Sequence, residues 1–149
     1  MPLRELKHPH QVIAWLEDWG GRLREPGEMI LIGSAALLWH AARQGLDEPL
    51  PENSMDVDPV TDCEEIAELA YDAMIGSDFE REHGWHVNLM PPFVFDSFPA
   101  GWRERCLTAE YGRLRLVVPA VTDLLAAKAM RDDPRDKAHA TWAKSLGLV

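Results

Sequence analysis

Two short stretches hold the residue types from which a reactive site could be built. The first is Asp56-Val57-Asp58, preceded by Ser54-Met55. Residues two apart on a strand project from the same face, so the two carboxylates stand side by side while Val57 points away. Like charges held that close repel, and a divalent cation relieves the repulsion; magnesium, or manganese in its place, prefers such oxygen ligands. A metal held there would clamp a triphosphate and polarise the bond being broken. The same spacing also suits the exposed face of an edge strand, and so short a motif taken alone favours that reading. The second stretch is Gly33-Ser34, which follows the apolar run Met29-Ile30-Leu31-Ile32 and opens a helical segment. Backbone N–H groups at a helix start form an anion site, and glycine lets a phosphate approach the backbone. Alone, Gly33-Ser34 reads as a tight strand-to-helix turn with a serine cap. In this order the two stretches point to chemistry on a nucleotide.

The elements that would position these residues follow from periodicity. Pro9 at a first helical position precedes Val12, Ile13, Leu16 and Trp19 at helical spacing, with Gly20-Gly21 as the stop. Trp15 and Trp19 fall on the core stripe of that helix and read as packing. Met29 to Ile32 reads as a buried strand; Ser34 to Arg43 reads as a helix capped by Ser34 and ended by Gly45. Leu46 to Asn53, with Pro49 and Pro51, is a loop. Met55 to Pro59 alternates apolar and acidic side chains like a strand. Thr61-Asp62-Cys63-Glu64 resembles a capping box, before a helix running to about Gly76. Trp85 to Met90 and Phe93 to Phe95 are strand candidates, and Pro99-Ala100-Gly101 turns the chain. Cys106 to Val118 predicts a hairpin around Tyr111-Gly112 with a cationic face, followed by helices over Val121 to Met130 and from Pro134 to Leu146.

Composition narrows the classes. At 149 residues and 46% apolar content the chain suits a single domain with a real core. No run approaches the roughly 18 apolar residues of a membrane span, and Met1-Pro2-Leu3-Arg4-Glu5 lacks a signal-peptide apolar region, so no membrane partner and a cytoplasmic location are expected. Cys63 and Cys106 read as two buried thiols rather than a disulfide framework. A net charge of −10 excludes a basic coat for nonspecific nucleic-acid binding. Residues 1–100 carry 6 Lys/Arg against 19 Asp/Glu, whereas residues 101–149 carry 9 against 6. A docking polyanion would therefore meet the last third, at Arg103, Arg105, Arg113, Arg115, Lys128, Arg131, Arg135 and Lys137, unless nearby acids already balance these charges. His8, His10, His40, His83, His86 and His139 show no metalloprotease spacing.

Gly33-Ser34-x-Ala36 at a helix start, followed by Ser54-x-Asp56-Val57-Asp58, resembles the signature of the minimal nucleotidyltransferase fold, the polymerase-beta-like superfamily. Within it the chain is similar to bacterial nucleotidyltransferase-like proteins related to AbiEii-type toxins. Phe98-Pro99-x-Gly101-Trp102-x-x-Arg105 and Val118-Pro119-x-x-x-Asp123-Leu124-Leu125-x-x-Lys128, with Arg135-Asp136 beyond, resemble further segments of that group. The resemblance implies an α+β domain, a small mixed β-sheet flanked by helices, with a core over about residues 28–118 and C-terminal helices over about 120–147. It also implies a metal-dependent nucleotidyltransferase. Asp56 and Asp58 would be catalytic and bind Mg2+ or Mn2+, while Gly33, Ser34 and Lys128 would hold a nucleoside triphosphate. The acceptor would be a hydroxyl of RNA, protein or a small molecule, and a toxin-like role would bring an antitoxin partner.

The chain departs from the pattern at three places. Asn88 stands where the third carboxylate belongs, Glu52 where an arginine is common, and His139 where a second C-terminal acid is found. An amide oxygen at Asn88 can coordinate metal but cannot serve as a base near neutral pH. The alternative reading is thus a catalytically degenerate domain of the same fold that binds nucleotide or a protein partner.

Overall fold

The computed structural model describes residues 5–51, 56–130 and 133–149. Glu52, Ser54, Met55 and Arg131 lie outside the described residues. Helix α1 (Pro9–Arg22) opens the fold, with Pro9 in its first turn and His8 and Gln11 forming a reciprocal capping box. Strand β1 (Gly27–Ile32) leads directly into α2 (Gly33–Arg43). Gly45, at φ 76°, ends α2 with Leu46 N–H bonded to Ala41 O at 3.0 Å and Gly45 N–H bonded to Ala42 O at 3.0 Å, the bond pattern of a Schellman motif. After the loop come β2 (Asp56–Val60), α3 (Glu64–Tyr71), α4 (Asp78–His83) and the two-residue β3 (His86–Val87). Two 3₁₀ turns, Pro92–Ser97 and Trp102–Arg105, precede the hairpin of β4 (Leu107–Tyr111) and β5 (Leu114–Val118). Helices α5 (Val121–Ala129) and α6 (Pro134–Ser145) complete the chain.

The five strands form one mixed sheet in the order β3-β2-β1-β5-β4. Strand β1 lies antiparallel to β2 and parallel to β5, while β2 is parallel to β3. Paired residues share a face, so Met29 with Leu116 and Leu31 with Pro59 place Met29, Leu31, Val57, Leu114, Leu116 and Val118 on one side, where all six are buried. Helices α1 and α2 pack on each other and on the sheet; α5 packs on α2, and α6 on α5. Trp15, Trp19, Leu37, Leu38 and Trp39 complete this core, so the two tryptophans of α1 are packing residues as their spacing predicts. The opposite side carries Asp56, Asp58, Ile30 and Ile32.

Several local expectations change. The Gly20-Gly21 stop is absent: α1 runs through both residues. Gly20 serves close approach instead, because a Cβ there would lie 1.8 Å from Tyr111 O, and Arg113 N–H donates to Gly20 O at 3.3 Å. Thr61 forms no capping box; its hydroxyl donates to Glu28 O at 2.7 Å and accepts from Cys63 N–H, tying the end of β2 to β1. Helix α3 ends at Tyr71 rather than near Gly76, and the short α4, which Ser77 caps by accepting from Glu80 N–H, has no counterpart in the periodicity reading. Phe93 to Phe95 is not a strand but part of the Pro92–Ser97 turn, because proline at its start presets a helical φ and removes a ladder donor. The strand expected over Trp85 to Met90 shrinks to His86–Val87. Cys63 and Cys106 are free, half-buried thiols.

Candidate functional site

Register assembles the site. Asp58 pairs with Ile32 across the β1–β2 ladder, which sets it beside the first residue of α2. Asp56 pairs with His86 and Val57 with Val87, and Asn88 N–H donates to Val57 O at 2.8 Å, so the next residue of the β3 segment lies alongside Asp58. Gly33 has φ 77°, and a Cβ on it would stand 2.7 Å from Asp58 Oδ2. Only glycine meets both demands at that point. The carboxylate therefore packs against the N-terminal end of α2, where the helix dipole favours negative charge. Ser34 does not cap α2 as the sequence predicts: the cap position falls on Ile32, with no side-chain cap, and Ser34 is buried within the first turn. The helix starts one residue earlier because Gly33 itself absorbs the strand-to-helix change of direction.

The two carboxylates act on each other. Burial first, then the charge and hydrogen bond of Asp56, push the Asp58 carboxyl up to about 7, against smaller opposing effects of Lys128 and Asn88. Asp58 Oδ1 is buried with no hydrogen-bond partner among the described residues. An orphaned buried carboxylate oxygen beside a second carboxylate fits a hard divalent cation.

Lys128 reaches the same place from α5. It is only 7% exposed, its Nζ donates to Asp136 Oδ1 of α6 at 3.1 Å, and with Gly33 and Asp58 it lines a cavity of about 200 Å³ walled by Met90, Phe98 and Leu124. It is thus not a surface lysine at a helix end. The helix is held in place by α2: His40 Nε2 lies 2.8 Å from Pro119 O at the entry to α5, and burial keeps this imidazole below its ordinary pKa. Arg105 clamps the start of α5 with two 2.8 Å bonds to the Asp123 carboxylate. The segments around Arg105, Asp123, Lys128 and Asp136, separate in sequence, therefore meet through two ion pairs. His139, which stands one turn along α6 from Asp136, is buried rather than displayed.

Gly33, Asp58 and Lys128 share the cavity; Asp56 and Asn88 adjoin it through Asp58, and Ser34 does not line it. Asn88 Nδ2 also contacts Met90 Sδ at 3.3 Å. The walls supplied by Met90, Val94, Ser97 and Phe98 escaped sequence reasoning, since an aromatic run reads as a strand and only the prolines at both ends hinted at a turn. Most cations of the last third already have partners: Arg113 donates to Leu23 O and Arg24 O, Arg115 pairs with Glu28, Arg135 with Asp133, and Arg103 stacks on Trp102. No helix among the described residues is long and apolar enough to cross a membrane.

A mixed five-stranded sheet that carries an Asp-x-Asp strand to a glycine-opened helix defines a nucleotidyltransferase-type domain. Over residues 11–144 the chain matches the family described as nucleotidyltransferase of unknown function (DUF6036), and it belongs to that family. No curated protein and no solved structure matches it.

Proposed function

We propose that the chain is a metal-dependent nucleotidyltransferase whose site is the cleft between Asp58, Gly33 and Lys128. The observation that carries this reading is the Asp58 carboxyl, buried beside Asp56 and pushed up to about 7, with one oxygen against Gly33 at the start of α2 and the other without a hydrogen-bond partner among the described residues. Asp56 and Asp58 would hold Mg2+ or Mn2+, with the amide oxygen of Asn88 as a third donor. The metal would supply charge neutralisation on the triphosphate and polarise the bond to the leaving group. The first-turn N–H groups at Gly33 and Ser34 favour phosphate oxygens, and Lys128 sets a positive charge against them. A cavity of about 200 Å³ falls below the roughly 300–1,000 Å³ of small-molecule sites, so it takes part of a nucleotide and leaves the rest over the open face.

In the transfer, an acceptor hydroxyl oxygen bonds to the α-phosphorus and gives up its proton to water, as the bond from that phosphorus to the bridging oxygen breaks and pyrophosphate leaves with the electron pair. The acceptor is a hydroxyl of RNA, protein or a small molecule. Likeness to AbiEii-type toxins supports a toxin role with an antitoxin partner. Asn88 favours a second reading, a degenerate domain that binds nucleotide or a protein without turnover, because it leaves the third position without a base.

Incubation with each labelled nucleoside triphosphate, Mg2+ or Mn2+, and total RNA separates the two. Label transfer that Asp56→Ala abolishes supports the enzyme. Nucleotide binding without transfer supports the degenerate domain.

A further inference from the structure

A second cluster of metal-ligating side chains lies at the start of α1. His10 Nδ1 is 2.9 Å from Asp47 Oδ1 and 3.0 Å from Oδ2, and His8 Nδ1 is 3.8 Å from Oδ2. One ligand atom from each of the three residues falls within 4.8 Å of the others. We propose that His8, His10 and Asp47 form a binding site for a divalent transition metal of the zinc class, separate from the Asp56–Asp58 pair.

The spacing agrees with the bond lengths such an ion needs. Four ligands at about 2.0–2.2 Å in a tetrahedron stand roughly 3.3–3.6 Å from one another, and the observed separations bracket that range. Two imidazole nitrogens with one carboxylate select zinc-class ions over magnesium, which takes oxygen. Both sides of the site are held. His8 and His10 sit at the cap and first turn of α1. Asp47 follows the Schellman turn of α2, and Leu50 N–H donates to Lys7 O at 2.9 Å just beyond it. His10 N–H also donates to Asp47 Oδ1 at 3.1 Å. That bond makes Asp47 a helix cap; beyond it the His10 imidazole meets the carboxylate, while His8 Nδ1 lies 3.3 Å from the Asp47 backbone carbonyl and 3.8 Å from Oδ2, so that both rings gather at the one residue. The His10 and Asp47 side chains are 57% and 55% exposed, so an ion reaches them from solvent and a fourth position stays open to water. Bound metal would pin the start of α1 to the loop that delivers Asp56.

The test uses the full chain without a histidine tag, stripped with a chelator and titrated with Zn2+ against a chromophoric competitor. Co2+ replaces zinc for an absorption spectrum. About one equivalent of zinc is expected, with intense visible cobalt bands of a four-coordinate site. His10→Ala and Asp47→Ala each weaken binding by about tenfold or more, and Asp56→Asn leaves it unchanged. Both altered side chains are exposed, and circular dichroism checks that each variant folds; His10→Gln provides a second, conservative readout. The proposal is overturned if no stoichiometric zinc binds. It is equally overturned if binding survives in the His8→Ala/His10→Ala double variant, or is lost in Asp56→Asn but not in His10→Ala.

Discussion

Burial and the neighbouring Asp56 hold the Asp58 carboxyl up to about 7, whereas in the unfolded chain it ionises near the ordinary 3.8. Between those values the folded metal-free chain binds the extra proton at Asp58, so this group's contribution to stability is fully present in acid and falls as pH rises from about 4 to about 7. At about 1.4 kcal/mol per pKa unit the loss is on the order of a few kcal/mol. Denaturant titrations at pH 5 and pH 8 should show it, and Asp58→Asn should flatten the difference. Magnesium should restore stability at pH 8 and not at pH 5, because the ion competes with the proton for the same oxygens. Asn88 offers a complementary test. Asn88→Asp supplies the missing carboxylate and should tighten magnesium binding by about tenfold, or 1.4 kcal/mol, read by calorimetry. The Asp-x-Asp spacing and the glycine were legible in the sequence as candidates. What it could not convey was that Asp58 Oδ2 sits against Gly33, since that depends on the Ile32–Asp58 register.

Among the elements, the strand-to-helix turn at Gly33 and the contact of α1 with the hairpin are the strictest packing constraints. Gly33→Ala meets both a φ of 77° and a carboxylate oxygen 2.7 Å away, and should cost about 1–3 kcal/mol while displacing Asp58. Gly20→Ala meets backbone that cannot give way, Tyr111 O at 1.8 Å, and should cost about 2–4 kcal/mol without touching the site. Thermal melts of the two variants rank the costs, and magnesium titration separates them: affinity changes only for Gly33→Ala. The elements α1, β1, α2, the β4–β5 hairpin and α5 were readable for different reasons: α1 and β5 each bury a regular face, whereas α2, buried from Ser34 to Ala41, is bracketed by Gly33 and Gly45. Helix α4 and the Pro92–Ser97 turn were not. Neither buries a residue fully, and each is fixed by local caps and prolines rather than by a stripe.

For the whole molecule, the sheet order β3-β2-β1-β5-β4 brings the ends of β1, β2 and β3 to the same edge as α5. No periodicity encodes that order; the likeness to the nucleotidyltransferase fold anticipated a small mixed sheet flanked by helices and not the order of its strands. The net charge of −10, with most of the C-terminal arginines tied to acids or carbonyls, leaves few free cations for a polyanion. Under the proposed function, attraction of a metal-bound triphosphate would then come from the cleft itself. The most direct measurement is the melting temperature of the chain with each nucleoside triphosphate and Mg2+, alongside Asp56→Ala. A ligand at about 100 times its dissociation constant adds about 2.7 kcal/mol, which for a chain of this size is a rise of roughly 5–10 °C. We predict such a rise for at least one triphosphate, requiring Mg2+ or Mn2+ and absent in Asp56→Ala. An unchanged melting temperature with every triphosphate and both metals would contradict the nucleotide site.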